Sequence, residues 1–281
     1  MRIDLHMHST ASDGAYSPAE VVQIALTKQM DVIALTDHDN VVGLDEAVAA
    51  ASGTTLQILP GVELSSEDGE KDRHILGYMF DPANKEFLTK LAELRGSRVN
   101  RADLIVKKLD ELGVHVPLER VYAIAGTGSV GRPHVARVML ETGYVSSLQE
   151  AFDKYLFDDG PAFVPHHKLA PVGAIDLVHK AGGVAVLAHP GRLTGDYQAI
   201  IEELVPLGLD GIEVYYPDHT PDMIATLRRI AEKHNLLMTV GGDFHRREGD
   251  GSARIGTVKT PADFNCVPAM RERAARYTAR P

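Results

Sequence analysis

Short apolar runs separated by stretches of helical spacing organise most of this chain. The pattern predicts a short strand over 2–5, then a helix opened by Ser17, Pro18, Ala19 and Glu20 and running to about 29. Serine there can cap the helix, proline suits the first helical position, and an acid in the first turn answers the helix dipole. Val32, Ile33, Ala34 and Leu35 form a continuous apolar run, as expected of a strand buried on both faces. A helix over 43–51 and strands over 56–59 and 74–79 follow.

Beyond 85 the pattern changes. Leu88, Leu91, Leu94, Leu104, Ile105, Leu109 and Leu112 recur mostly at helical spacing and predict one long helix over 85–113. Helical stretches near 117–125, 133–141 and 147–156 come with no convincing strand between them. Residues 95–170 are therefore expected to be a helical insertion into a unit made of 1–94 and 171–281. Alternation then resumes, with helices over 171–181, 197–206 and 221–234 and strands over 184–188, 210–214 and 236–240. Repeated strand–helix units imply an α/β fold with a parallel sheet, open or closed into a barrel.

Composition narrows the setting. With 281 residues, 44% of them hydrophobic, the chain can bury a sizeable core and carry an insertion. A net charge of -10 makes duplex DNA a poor partner, while a small phosphorylated substrate drawn in by bound metal stays compatible. The single Cys266 excludes an internal disulfide framework and a thiolate-rich zinc site, and is read as a structural thiol. No apolar run approaches the ~18 residues of a membrane span. The chain enters a strand at once, without a cationic region and apolar stretch, so a soluble cytoplasmic protein is expected.

Against that background, four clusters of histidine and carboxylate stand out where strands should end: Asp4-Leu5-His6-Met7-His8, Thr36-Asp37-His38-Asp39, Ala188-His189-Pro190-Gly191 and Gly242-Asp243-Phe244-His245. Side chains alternate along a strand, so His6 and His8 share a face, as do Asp243 and His245. Imidazole and carboxylate are the usual ligands of borderline divalent ions. His6, His8, His38, Glu63, His189, Asp243 and His245 are thus candidate ligands, joined on less local evidence by Asp13 and His74. A barrel is favoured over an open sheet, because closure brings many strand ends around one centre. The donor set points to two or three ions, manganese first, with iron or zinc as alternatives to it and copper disfavoured. Asp4, Asp37 and Asp39 are placed either to orient the ligand imidazoles or simply to cap strand ends. His115, His179, His219 and His234 stand alone and are read as structural.

The order DLHMHS, TDHD, Glu63, His74, AHPG, GGDFH resembles the PHP (polymerase and histidinol phosphatase) family of metal-dependent phosphoesterases over most of the chain. The resemblance implies a distorted (βα)7 barrel holding up to three metals. By motif, it would assign His6, His8, Glu63 and Asp243 to a first ion. Glu63 would bridge to a second ion held by His74 and His189, and Asp13, His38 and His245 would hold a third. Several relatives have a histidine where Asp13 stands.

Within the insertion, Gly131-Arg132-Pro133-His134 opens a helix behind the glycine-rich Gly126-Thr127-Gly128-Ser129. Arginine beside a helix N-terminus suits an anion, so Arg132 and His134 are candidate catalytic and substrate-binding residues. Arg95, Arg98 and Arg101 recur every three residues and form either a solvated face or a second phosphate grip. Arg101 and Lys168 are the candidates for that grip, while His166 and His167 have no clear place. The insertion resembles that of stand-alone bacterial PHP enzymes, which act on 3',5'-nucleoside bisphosphates or trim short RNA from the 5' end. The expected activity is removal of the 3'-phosphate from a nucleoside 3',5'-bisphosphate, the partner being a small nucleotide. Alternatives are 5'→3' exonuclease action on a short oligonucleotide, histidinol-phosphate phosphatase activity, and a non-catalytic binding module.

Overall fold

The computed structural model describes residues 1–69, 71–126, 128–157, 159–165, 168–246 and 254–278. Strand β1 (Ile3–Asp4) leads to α1 (Pro18–Thr27), β2 (Val32–Ala34), α2 (Leu44–Ala51) and β3 (Gln57–Leu59). Next come β4 (Gly61–Leu64), a ribbon of β5 (Glu67–Asp68) and β6 (Lys71–Asp72), β7 (Ile75–Tyr78) and the long helix α3 (Lys85–Glu111). Helices α4 (Leu118–Ala125), α5 (Arg132–Glu141) and α6 (Leu148–Ala151) follow, the last continued by a π-helical turn over Phe152–Leu156. The chain ends as α7 (Pro171–Lys180), β8 (Val184–Leu187), α8 (Tyr197–Leu204), β9 (Gly211–Tyr215), α9 (Pro221–His234), β10 (Leu237–Val240) and α10 (Val267–Thr278).

Local chemistry explains most boundaries. Ser17 and Glu20 form a reciprocal cap on α1: the Glu20 N–H donates to Ser17 Oγ at 3.2 Å, and the Ser17 N–H donates to Glu20 Oε2 at 2.8 Å. Asn84 caps α3 through the Phe87 N–H at 2.9 Å. Asn235, at φ 52°, ends α9 in the left-handed conformation that asparagine tolerates. Among the described residues, no helix is long and apolar enough to cross a membrane.

The strands form a parallel sheet ordered β1-β2-β3 and a larger sheet ordered β10-β9-β8-β7-β4. Three strands of the larger sheet, β8, β9 and β10, run parallel, but β7 lies antiparallel to both β4 and β8. The expectation of an all-parallel sheet is corrected here, for a simple reason. Only the short β5–β6 ribbon separates β4 from β7, and without a crossover helix the chain can only return antiparallel. Both β4 and α10 escaped the hydrophobic pattern: β4 is four residues with a buried glutamate, and α10 buries only Val267, Met270 and Ala274.

The two sheets meet at the ends that carry the clusters. The Leu5 N–H donates to the Val240 carbonyl at 2.9 Å, and isolated parallel bridges join Met7 to Phe244 and His38 to Glu63. Among the described residues, the ladders remain two sheets rather than one continuous barrel wall. Helix α3 belongs to two cores at once. Phe87, Leu91 and Leu94 pack in the main core, whereas Ala102, Ile105 and Leu109 pack with Val121, Val135 and Met139 of the helical segment.

Candidate metal centre

Glu63, buried on β4, is the hub of the site. Its Oε2 lies 3.2 Å from His6 Nε2, 3.1 Å from His8 Nε2 and 3.4 Å from His38 Nδ1. The other oxygen, Oε1, lies 2.8 Å from His74 Nδ1 and 3.1 Å from His189 Nε2. Asp243 Oδ1 approaches His6 Nε2 at 3.5 Å and His8 Nε2 at 3.4 Å, so two imidazoles and two carboxylates converge on one point. Asp13 joins from the other side, 3.3 Å from His245 Nε2 and 3.9 Å from His38 Nε2. All nine candidate ligands are thus brought together from both sheets. Among the described residues, three sets of donor atoms lie within 4.8 Å of one another: His6, His8, Glu63 and Asp243; His8, Asp13, His38 and His245; and His38, Glu63 and His74. His189 reaches the cluster through Glu63 Oε1.

Backbone geometry aims these groups. The Met7–Phe244 bridge keeps His6 and His8 on an extended segment facing one way. Asp243 departs from the simple alternation expected of a strand. Its φ is 49°, and His189 sits at φ 29°, both at positive φ, where few non-glycine residues lie.

The ring nitrogens facing away from the cluster are tied down. His6 Nδ1–H donates to Glu213 Oε1 at 3.0 Å, and His245 Nδ1–H donates to the Asp243 carbonyl at 3.0 Å. His8 Nδ1 lies 3.4 Å from Ser12 Oγ, whose hydroxyl donates to Asp37 Oδ1 at 2.7 Å. Such partners select the tautomer and leave the opposite nitrogen, Nε2, as a lone-pair donor. His8 Nε2 and His38 Nδ1 are buried and make no hydrogen bond, although both face Glu63. Buried nitrogens are seldom left unpaired in this way. Unpaired, converging nitrogen and oxygen donors without a thiolate fit hard or borderline divalent cations.

Electrostatics within the protein alone points the same way. Burial opposes the charge on Glu63, but His38, His6 and His74 around it hold its carboxyl well below the usual range. Burial likewise works against Asp13 and Asp243, and nearby imidazoles overcome it in both. Burial lowers His8, yet the adjacent carboxylates of Asp243 and Glu63 lift it to about 10. Burial drives His38 down to about 3, leaving a neutral ring. A centre with this many buried carboxylates demands positive charge, supplied by protons or by cations.

Contacts decide between the open readings of several neighbouring residues. Asp39 does not orient an imidazole. Its carboxylate accepts from Arg98 Nε at 2.7 Å and from the Ser65 N–H at 2.8 Å, because a buried acid takes the nearest guanidinium. Arg95 donates to the Asp39 carbonyl at 3.2 Å, so these two arginines brace a loop instead of forming a solvated face. Asp4 accepts the N–H groups of Gly242 at 2.9 Å and Gly256 at 2.8 Å, which makes it a clasp between strand ends. Asp37 accepts from the Ser9 N–H at 2.8 Å and from the Ser9 and Ser12 hydroxyls, reaching His8 only through Ser12.

Residues of the helical segment close one side of the centre. An alcove of about 150 Å³ is lined by Arg98, Arg101, Arg132 and Lys168 together with Asp13, His38, Asp72 and His74. Arg132 also donates to the Leu156 carbonyl at 2.9 Å, and Arg101 to the Val164 carbonyl at 2.8 Å. Lys168 faces the alcove but is ion-paired with Asp72 and, at 3.5 Å, with Glu67. His134 is buried and does not line the alcove: its Nδ1 accepts the Gly131 N–H at 3.0 Å, and its ring hydrogen-bonds the Ser12 backbone. His166, His167 and Thr127 lie outside the described residues. A second cleft of about 320 Å³ shares His38, Asp72 and His74 and adds Arg192 and Leu193.

Three residues of the site were not anticipated from the sequence. Glu213 is fully buried on β9, within the otherwise apolar Gly211-Ile212-Glu213-Val214-Tyr215. A carboxylate in a buried strand must be paired, and that was the available signal. Arg192 and Tyr216 hold the outer oxygen of Asp243, Oδ2, at 3.0 and 2.8 Å. Neither sits in a recognisable pattern.

A PHP domain family model matches residues 4–155 of the chain. Over 279 residues, 98% of the chain and 97% of the relative, it is 34% identical to a 3',5'-nucleoside bisphosphate phosphatase of Chromobacterium violaceum. The chain belongs to the PHP family. It is also 37% identical to a 5'-3' exoribonuclease of Haemophilus influenzae, over 87% of this chain and 90% of that one. A phosphoribosyl 1,2-cyclic phosphate 1,2-diphosphodiesterase of Eggerthella lenta is 32% identical over 88% of this chain and 95% of that one. Among solved structures, a C. violaceum amidohydrolase with bound sulfate matches with a TM-score of 0.87 at 32% identity, covering 98% of this chain and 97% of the other. A Bifidobacterium adolescentis protein classed as a metal-dependent phosphoesterase matches with a TM-score of 0.86 at 29% identity, covering 96% of each chain. The PHP protein described here is accordingly a hydrolase of phosphoester bonds.

Proposed function

We propose that this PHP protein removes the 3'-phosphate from nucleoside 3',5'-bisphosphates, giving a nucleoside 5'-monophosphate and phosphate. The observation that carries this reading is the basic alcove contributed by the insertion, which shares His38, Asp72 and His74 with the cleft over the ligand cluster. A substrate with two phosphates can then place one at the cluster and the other between Arg101 and Arg132. The relative that covers 98% of the chain bears the same activity in its name.

In this reading the two sheets are arcs of a distorted barrel, and 95–170 is the insertion that completes the pocket. His6, His8, Glu63 and Asp243 would hold one divalent ion; His74 and His189 would share Glu63 with a second; Asp13, His38 and His245 would hold a third. Manganese suits this nitrogen and oxygen set, with iron or zinc as alternatives. Bound divalent ions would supply a water of near-neutral pKa and withdraw charge from the phosphoryl oxygens. Hydrolysis breaks the bond between phosphorus and the ribose 3'-oxygen, with water giving its oxygen to phosphorus and a proton to the departing 3'-oxygen.

The chain's own groups do the rest. Glu213, Ser12 and the Asp243 carbonyl keep His6, His8 and His245 in the Nδ1–H tautomer. Arg132 and Arg101 bind the distal phosphate through guanidinium N–H groups, each already oriented by a backbone carbonyl. Lys168, paired with Asp72 and Glu67, sets the alcove's shape more than its charge. His134, with both ring nitrogens engaged, holds the 131–133 turn that presents Arg132. A cytoplasmic setting, where a lone cysteine stays reduced, suits this substrate.

Exoribonuclease action on short 5'-phosphorylated RNA is the second reading, supported by the 37% identity to the H. influenzae enzyme. Manganese-loaded protein should release phosphate from adenosine 3',5'-bisphosphate faster than it cleaves a 5'-phosphorylated dinucleotide. The reverse preference would transfer the assignment to the exonuclease reading.

A further inference from the structure

Glu213 is one of the least exposed carboxylates in the chain, and it faces the metal centre from behind, on the central part of the larger sheet. Its Oε1 accepts from His6 Nδ1 at 3.0 Å, and its Oε2 lies 3.3 Å from the same nitrogen. Oε2 also accepts the backbone N–H of His189 at 2.8 Å. One buried carboxylate therefore contacts two members of the ligand cluster whose other sides meet Glu63 through different oxygens: His6 through Oε2 and His189 through Oε1.

Two further observations argue that this is an arrangement for aiming ligands. The first is the backbone of His189, at φ 29° and ψ 62°. A non-glycine residue persists there only when its surroundings hold it, and the Glu213 hydrogen bond fixes the amide of that very residue. The second is Gly241. A Cβ added at this position would fall 2.3 Å from Glu213 Oε1 and 2.2 Å from His6 Cβ. The strand end is thus kept bare so that carboxylate and imidazole can meet. A carboxylate on the far nitrogen of a ligand imidazole fixes its tautomer and raises its basicity toward a metal, and losing such a partner typically weakens metal affinity 10–100-fold.

We propose that Glu213 is a positioning residue of the metal centre, orienting the His6 ring and the His189 backbone together and so coupling two parts of the ligand cluster. This inference rests on the metal-centre reading above. Glutamine at 213 keeps the shape but offers only one acceptor oxygen. Its NH2 group must then stand where one carboxylate oxygen accepted, so the two short bonds, to the imidazole and to the amide, cannot both survive.

The test is zinc affinity of wild type and Glu213→Gln, measured by competition with a chromophoric chelator, with circular dichroism and melting of the metal-free proteins alongside. Folded Glu213→Gln should bind zinc about 10–100-fold more weakly. Its kcat at limiting zinc should fall, and its KM for adenosine 3',5'-bisphosphate should stay within about twofold. Unchanged zinc affinity in a folded variant, whatever its melting temperature, overturns the proposal and reduces Glu213 to a structural clasp. Wild type binding less than one zinc per chain would instead remove the metal-centre reading itself. Should the variant fail to fold, long-range proton–nitrogen spectra of zinc-loaded wild type decide: an Nδ1–H tautomer at His6 supports the proposal, and an Nε2–H tautomer overturns it.

Discussion

Replacing Glu63 with glutamine removes one charge and almost no volume from the point where the site is most crowded. Its Oε2 lies 3.1 Å from His8 Nε2 and 3.2 Å from His6 Nε2, while Oε1 lies 2.8 Å from His74 Nδ1. Removing one partner from a buried ionic cluster costs about 3–5 kcal/mol. Each 1.36 kcal/mol is tenfold in rate, so the loss corresponds to roughly two to four decades in kcat/KM. Glu63 belongs to two of the donor sets, so the variant should also retain at least one fewer divalent ion per chain. The assay pairs inductively coupled plasma analysis of dialysed, manganese-loaded protein with phosphate release from adenosine 3',5'-bisphosphate. Far-UV circular dichroism should be unchanged, since the replacement is isosteric. A folded Glu63→Gln protein with full metal content and activity within tenfold of wild type would refute the hub role.

Other outcomes follow from separate parts of the structure. Arg132→Ala should raise KM for the bisphosphate about 10–100-fold, the worth of a charge-assisted hydrogen bond. Adenosine 3'-monophosphate, lacking the distal phosphate, should be nearly indifferent to that change, and equal effects on both substrates would remove Arg132 from the distal grip. Asp210 accepts from His179 Nε2 and Tyr277 OH at 2.8 Å and from the Ala185 N–H at 2.9 Å, fastening α10 to the sheet. Asp210→Ala strands these donors and should cost about 3–5 kcal/mol. The melting temperature should drop by roughly 10 °C, with the metal content per folded chain unaltered. Burial pushes the Cys266 thiol from 9.0 up to about 12. The unfolded chain ionises first, so this thiol's contribution to stability is intact below pH 9 and is lost as pH rises toward 12. Native protein should resist thiol reagents at pH 8 until denaturant is added, and rapid native labelling would contradict the burial.

Much of the architecture was legible because it is local. The apolar run at Val32 to Leu35, the Ser17 and Glu20 cap and the helical spacing after 85 each act over a few residues, and each element formed near its expected place. The chemistry of the site was legible for a related reason. Pairs such as His6 and His8 carry their residue types and spacing in the sequence itself, whatever fold surrounds them. The β7 reversal was hidden because strand direction depends on what lies between two strands, and β4 did not stand out.

What residues 1–281 determined by themselves is the kind of centre: nitrogen and oxygen donors at strand ends, no thiolate cluster, and Arg95, Arg98, Arg101 and Arg132 along a helical stretch. Tertiary structure decided which charges are engaged elsewhere. Arg98 goes to Asp39 and Lys168 to Asp72 and Glu67, while Glu213, 207 residues from His6, fixes that ring. Coulomb and hydrogen-bond energies depend on distance in space and on burial, and neither quantity exists until the chain has folded.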